Sequence, residues 1–214
     1  PEAKYVVLTR HPLAVMSSYA NSFFVGDWQA AHDFNPVLER YVPAMAKVLR
    51  ERSVPLLQVR YESLVANPEA ELERIFSFLG LAHDPGAVNY GKRFEAKAGM
   101  GDPIGVKKHD RPTTESVEKW IPELLSDQKK LKLARDIIAR LSDEDLETWG
   151  YPRAGVFSAI EQGSASKLPK PPLWNKYVFQ RRVMLALKKD IATRPHGKLI
   201  KQVKYYCDVL LREQ

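Results

Sequence analysis

The chain has 214 residues, 44% hydrophobic and 28% charged, an ordinary balance for a globular protein that buries one substantial core. No apolar run approaches the ~18 residues of a membrane span, and the single Cys207 excludes an internal disulfide and gives no argument for secretion. The formal charge of +7 is uneven, with 21 basic against 23 acidic side chains in residues 1–166 and 11 basic against Asp190 alone in residues 167–204, so an anion bound upstream must be held by local groups.

Tyr5 to Leu8 is a short apolar run that passes through Thr9-Arg10-His11 to Pro12. Proline suits a first helical turn, and Leu13, Met16, Ser17 and Tyr19-Ala20 follow in helical order, so a strand empties into a helix here. Arg10 then leaves the carboxyl end of a parallel strand, the edge where open α/β sheets bind ligands. Ser18 lies two turns down the helix. A guanidinium fork and a hydroxyl in this arrangement can converge on a phosphate. The alternative is an Arg10 that caps a protein carboxylate and a Ser18 that only permits a close helix contact.

Residues 21–36 are aromatic and are interrupted at Gly26-Asp27. Phe23, Phe24, Trp28 and Phe34 are either pocket walls or packing beneath an irregular connection, and His32 is isolated. Pro36 to Arg52 reads as an amphipathic helix with Val37, Leu38, Tyr41, Val42, Met45, Val48 and Leu49 on its apolar stripe, interrupted or bent at Pro43. Val54 to Tyr61 has the composition of a buried strand, which places Tyr61 at the same edge as Arg10. Tyr61-Glu62-Ser63-Leu64 reads as a turn, with Glu62 as a structural hydrogen-bond acceptor. A helix follows, with Asn67 as N-cap, Pro68 in the first turn, Leu72, Ile75, Phe76 and Leu79 facing inward, and Gly80 as its stop.

From His83 to Pro112 periodicity is lost, and so long an irregular segment favours a lid or binding loop. Lys107, Lys108, His109 and Arg111 concentrate positive charge there. Trp120 anchors a helix beginning near Thr114 or Ser116, with Glu118 and Lys119 outward and Pro122 limiting its regularity. A further helix starts at Ser126-Asp127-Gln128 and buries Leu131, Leu133, Ala134, Ile137, Ile138 and Leu141.

RHPLAVMSSY resembles the 3'-phosphate-binding segment of sulfotransferases that use 3'-phosphoadenosine-5'-phosphosulfate. VRYESLVANPEAELERIFSFLGL, from Val59 to Leu81, resembles the family's strand, Tyr-Glu turn and following helix. GDP at 101–103, SVEKW at 116–120 and GYP at 150–152 extend the likeness, which covers residues 4–152. The resemblance implies a P-loop-NTPase-like α/β fold, a parallel sheet flanked by helices, N-terminally incomplete and followed by a C-terminal helical extension. It implies that Arg10 and Ser18 hold the 3'-phosphate and that Tyr61 lies beside the adenine, the alternative for Tyr61 being a buried ring whose hydroxyl anchors the loop. In the family a basic triplet contacts the same phosphate. Alignment on Trp120 puts Thr113, Thr114 and Glu115 there, so Lys107, Lys108, His109 or Arg111 would be a shifted substitute, the alternative being a solvated charge run.

The implied reaction is sulfuryl transfer to a hydroxyl or amine, with adenosine 3',5'-bisphosphate as the product and no protein-bound metal. The family's glycine-rich 5'-phosphosulfate loop has no counterpart in these residues, and its catalytic base lies in the same region. His11 does not match that base, so no catalytic residue is assigned. The expectation is a carboxyl-terminal portion of a longer sulfotransferase, inactive as residues 1–214 alone and completed by an N-terminal fragment of the same protein. The acceptor is a small molecule, carbohydrate or lipid. Two other classes stay open: another P-loop group transferase such as a kinase, and a non-catalytic nucleotide-binding or interaction module.

The domain expected is 1–152, with 153–172 as a linker or surface wrap and 173–214 as a basic helical extension. That extension packs on the domain, meets a partner, or touches an acidic membrane peripherally, packing being the ordinary fate of an amphipathic pair. Nucleic acid is not an expected partner, and the expected compartment is the cytoplasm.

Overall fold

The structure, a computed structural model, describes residues 3–92 and 109–162. These residues form a mostly helical fold around a two-stranded parallel sheet. Strand β1 (Tyr5–Thr9) pairs with β2 (Leu56–Arg60), with Tyr5 opposite Leu56 and Thr9 opposite Arg60. The broad parallel sheet expected from the resemblance is not seen among the described residues. Among the described residues these two apolar stretches lack helical periodicity, and the longer helices carry the 3.6-residue repeat that buries one side of a helix.

Helix α1 (Pro12–Phe24) starts at the predicted proline, and Leu13, Ala14, Met16 and Ser17 on it are buried. Helix α3 (Val37–Glu51) buries Leu38, Val42, Ala46 and Leu49, the i, i+4, i+8, i+11 row of one face. Tyr41 and Val48, expected on that stripe, lie on its solvent-facing flank. Pro43 sits inside α3 without interrupting it.

Where a turn was expected after β2, the chain enters helix α4 (Tyr61–Ala66) directly, then α5 (Pro68–Leu79). Asn67 occupies the cap position between them without a side-chain bond, its carbonyl accepting the Glu71 N–H at 3.1 Å. Gly80 stops α5 at a φ of 74°, a left-handed conformation that costs glycine little. The expected inward residues of α5 are only half-buried.

Three short 3-10 turns follow, at Pro85–Val88, Tyr90–Lys92 and Thr114–Ser116. Trp120 is buried as expected and begins α6 (Trp120–Ser126), later than the predicted start. Asp127 caps α7 (Gln128–Arg140) by accepting the N–H groups of Lys129 and Lys130, and Leu131, Ala134, Ile137 and Ile138 are buried along it. Helix α8 (Asp143–Trp149) is capped by Ser142 and ends at Gly150, φ 96°. It packs against α3, where Arg50 meets Asp145 at 2.8 Å, while Arg140 of α7 meets Glu39 at 2.8 Å.

The stretch from Arg153, read from composition as a linker, begins as α9 (Arg153–Val156) and α10 (Ser158–Gln162). Val156 and Ile160 are buried, which gives these short helices a reason to form. Arg153 also reaches the carbonyls of Ile138 and Leu141 and the carboxylate of Asp143.

Residues Tyr19–Asn35 fall in a second compact unit. The break at Gly26-Asp27 is real: Val25 and Gly26 take φ of 53° and 78°, and Asp27 caps α2 (Trp28–Phe34) by accepting the Ala30 N–H at 2.9 Å. The rings of Tyr19 and Phe24, and of Phe24 and Phe34, lie 5.4 and 5.6 Å apart. Trp28 and Phe24 are buried, and Phe23 is exposed. Among the described residues no helix is long and apolar enough to cross a membrane.

Candidate functional site

The strand register builds the site. Because Thr9 pairs with Arg60, the next residues, Arg10 and Tyr61, leave the carboxyl edge side by side. The Arg10 guanidinium lies over the Tyr61 ring, its carbon 4.3 Å from the centroid. Its Nη2 donates to the Ser116 carbonyl at 2.7 Å, and the Tyr61 and Ser116 hydroxyls share a bond of 2.7 Å. The three residues close a ring of contacts that holds the cation by its face and by one nitrogen. The Trp149 indole N–H donates to the Arg10 carbonyl at 2.9 Å, fixing the backbone too.

Arg10 is half-buried, and among the described residues no carboxylate pairs with it. Arg50, Arg74, Arg111, Arg140 and Arg153 all do pair with carboxylates. The Arg10 Nε is buried without a hydrogen-bond partner, a deficit that ordinarily costs about 1–3 kcal/mol. Its Nη1 makes no bond among the described residues. An anion is the chemistry this cation lacks. The alternative role for Arg10, capping a protein carboxylate, finds no carboxylate partner among the described residues.

Ser18 stands exposed on α1, whereas its neighbour Ser17 is buried. Ser17 Oγ donates to Glu123 Oε2 at 2.6 Å, and Lys130 Nζ reaches Glu123 Oε1 at 2.7 Å. A buried carboxylate is costly unless paired and hydrogen-bonded, and Glu123 is both. Arg111 is exposed and paired with Glu69 at 2.9 Å rather than joined to Arg10. Lys107 and Lys108 lie outside the described residues.

Beside the arginine sits a second cluster. Glu62 accepts the His11 N–H at 3.0 Å on one carboxylate oxygen and the Tyr151 hydroxyl on the other. It is the structural acceptor that the sequence reading made it. The His11 ring stacks on Trp120, centroids 4.2 Å apart at 15°, and meets Tyr151 edge-on at 5.3 Å. Burial pushes His11 down to about 4 against the pull of the Glu62 carboxylate, with Arg60 and Arg10 adding to the fall. Its Nδ1 is buried without a partner. Burial, then the bond to Glu62, raises the Tyr151 hydroxyl, and the Arg60 guanidinium lies 4.6 Å over the Tyr151 ring.

Of the residues singled out from sequence, Arg10 and Tyr61 are in contact, Ser18 is exposed on the adjoining helix, and Arg111 is elsewhere. Ser116 and Glu123 were missed as site residues. The only signal for Glu123 was an acidic residue beside the apolar run of α6, a pattern that ordinarily marks a solvated face. Among the described residues no group of three or more His, Cys, Asp or Glu could hold a metal ion.

The arrangement can be compared with known proteins. A model of the sulfotransferase family matches residues 1–85, and the rest of the chain is unassigned. No curated protein and no solved structure matches the chain. The matched residues contain Arg10, Ser18 and Tyr61, whereas Ser116, Glu123 and Tyr151 lie beyond them.

Proposed function

We propose that the chain forms the 3'-phosphate side of a sulfotransferase donor site, with 3'-phosphoadenosine-5'-phosphosulfate as the donor. The observation that carries this reading is Arg10: a half-buried guanidinium, held by Tyr61 and Ser116, with an unpartnered nitrogen and no carboxylate partner among the described residues. The family match over residues 1–85 supports it, as does the exposed Ser18 hydroxyl on the adjoining helix.

The donor supplies the sulfuryl group and leaves as adenosine 3',5'-bisphosphate. Arg10 offers its charge to the 3'-phosphate, and Ser18 offers one directed bond. One face of Tyr61 carries Arg10, so the opposite face is the one for adenine. None of these groups touches sulfur. They fix the donor's register, which sulfuryl transfer needs for an in-line approach.

The same reading takes β1 and β2 as part of a wider P-loop-type sheet. Tyr5 N–H donates to the Pro55 carbonyl at 2.9 Å, so in a parallel ladder the N–H and C=O of Val6 and Leu8 point off the free edge of β1. Tyr5, Val6 and Leu8 are 50%, 41% and 52% exposed, an unusual state for a parallel strand. A further strand of the same protein is the fitting neighbour for that edge.

Titration calorimetry of the full chain tests the site. Adenosine 3',5'-bisphosphate is expected to bind at least about tenfold more tightly than adenosine 5'-monophosphate or ATP, one charge-assisted hydrogen bond's worth or more. Ser18→Ala is expected to remove about fivefold of that preference. Equal affinity for the three nucleotides, or a preference for ATP, overturns the proposal.

A further inference from the structure

The proposed phosphate segment is tied at both of its ends by one stretch of chain that the family match does not reach. Arg10 bonds to Ser116, and Ser17 bonds to Glu123. The partners stand seven positions apart on each side, and between the ties the His11 ring stacks on Trp120. We propose that residues 116–123 are a splint that sets the geometry of the phosphate site, with Ser17 and Glu123 as positioning residues.

The inference rests on the reading of Arg10 and Ser18 as phosphate ligands and concerns what holds them. Successive helical residues point about 100° apart. Ser17 drawn inward to Glu123 therefore leaves Ser18 turned to solvent, as observed. A rotation of α1 by one residue would bury Ser18 and expose Ser17. Glu123 opposes that rotation because it is itself anchored: it is 5% exposed, and its other oxygen is held by Lys130. At the opposite end, Ser116 holds Arg10 through its carbonyl and Tyr61 through its hydroxyl. Neither Ser17 nor Glu123 needs to touch the nucleotide. Their effect is on the angle between two groups that do.

The test is the ratio of affinities for adenosine 3',5'-bisphosphate and adenosine 5'-monophosphate, measured by calorimetry on the full chain. Ser17→Ala keeps a good helix former and removes the hydroxyl that makes the tie. It is expected to lower the ratio about fivefold to tenfold by weakening the bisphosphate alone, the loss of roughly one hydrogen bond. Glu123→Gln is expected to lower it in the same direction, and the double variant no further than the worse single one, since both break one linkage. Ile138→Val, a buried change on α7, supplies a destabilised control expected to lower Tm and leave the ratio intact.

The outcomes separate the two claims. If the unaltered chain shows no preference for the bisphosphate, the phosphate reading fails and the splint with it. If that preference exists and survives both Ser17→Ala and Glu123→Gln, the splint alone is overturned. If Ile138→Val erodes the ratio as much as they do, the effect is general destabilisation and the splint is again overturned.

Discussion

The two clusters at the carboxyl edge of the sheet are built from neighbours in sequence and have opposite economies. Arg10 and Tyr61 form one, and His11 and Glu62 form the other. In the first, a cation sits on a ring and a carbonyl, with no carboxylate partner among the described residues and with Nε unpartnered. In the second, both carboxylate oxygens of Glu62 are taken, by the His11 N–H and the Tyr151 hydroxyl, and only the ring Nδ1 of His11 is left unpartnered. The charged group of one cluster is fully engaged by the chain, while the charged group of the other keeps donors in hand. Unmet hydrogen-bonding capacity on a charged group in a half-buried site points to function more sharply than residue type does.

The comparison breaks most visibly at Glu62. Glu62→Ala strands two donors, and the unfolding free energy in urea is expected to fall by about 3–4 kcal/mol. A loss below about 1 kcal/mol would mean that the latch is not structural.

Acid sharpens the contrast through His11. Its folded-state value, about 4, lies below that of the unfolded chain, so between about pH 6.5 and 4 the unfolded chain takes up a proton that the folded one refuses. Stability is therefore lost as pH falls through that window, by up to about 3 kcal/mol, and His11 contributes no further loss below it. His11→Gln is expected to flatten this part of the stability profile, and an unchanged profile would count against it.

Arg10 is expected to behave in the opposite way to Glu62. Arg10→Met should cut bisphosphate affinity about 30- to 100-fold and shift unfolding by less than about 1 kcal/mol, because the guanidinium leaves no protein carboxylate behind. A large stability loss would recast Arg10 as a second latch. The smallest effect belongs to Arg111, whose exposed pair with Glu69 is worth under about 1 kcal/mol. Arg111→Ala should leave both unfolding and bisphosphate affinity nearly unchanged, and a tenfold affinity loss would restore the arginine to the phosphate site.

Much of the local structure was legible because periodicity reports burial directly. The apolar run before Arg10, Pro12 as a helix start, the α3 row through Leu38, Val42 and Ala46, and the inward residues of α7 all follow from spacing. Other features did not follow. Pro43 reads as an interruption or a bend, and α3 continues through it without interruption, while Tyr61-Glu62-Ser63-Leu64 reads as a turn but forms a helix. Tertiary packing overrides such local preferences of a few kcal/mol or less. The segment from Arg153 reads as a linker from composition, and only the burial of Val156 and Ile160 turns it into helices.

The sequence by itself determined where the strands end, and hence that Arg10 and Tyr61 leave one edge together. That follows from alternation and helical repeat, which need no knowledge of distant neighbours. Only the tertiary structure decided their partners. Arg10 and Ser116, like Ser17 and Glu123, lie 106 residues apart, and a repeat within a segment says which side is buried but not what it will meet. Which of two adjacent serines turns inward, and which charged group at the sheet edge keeps an unpartnered nitrogen, depends on donors and acceptors brought from that distance.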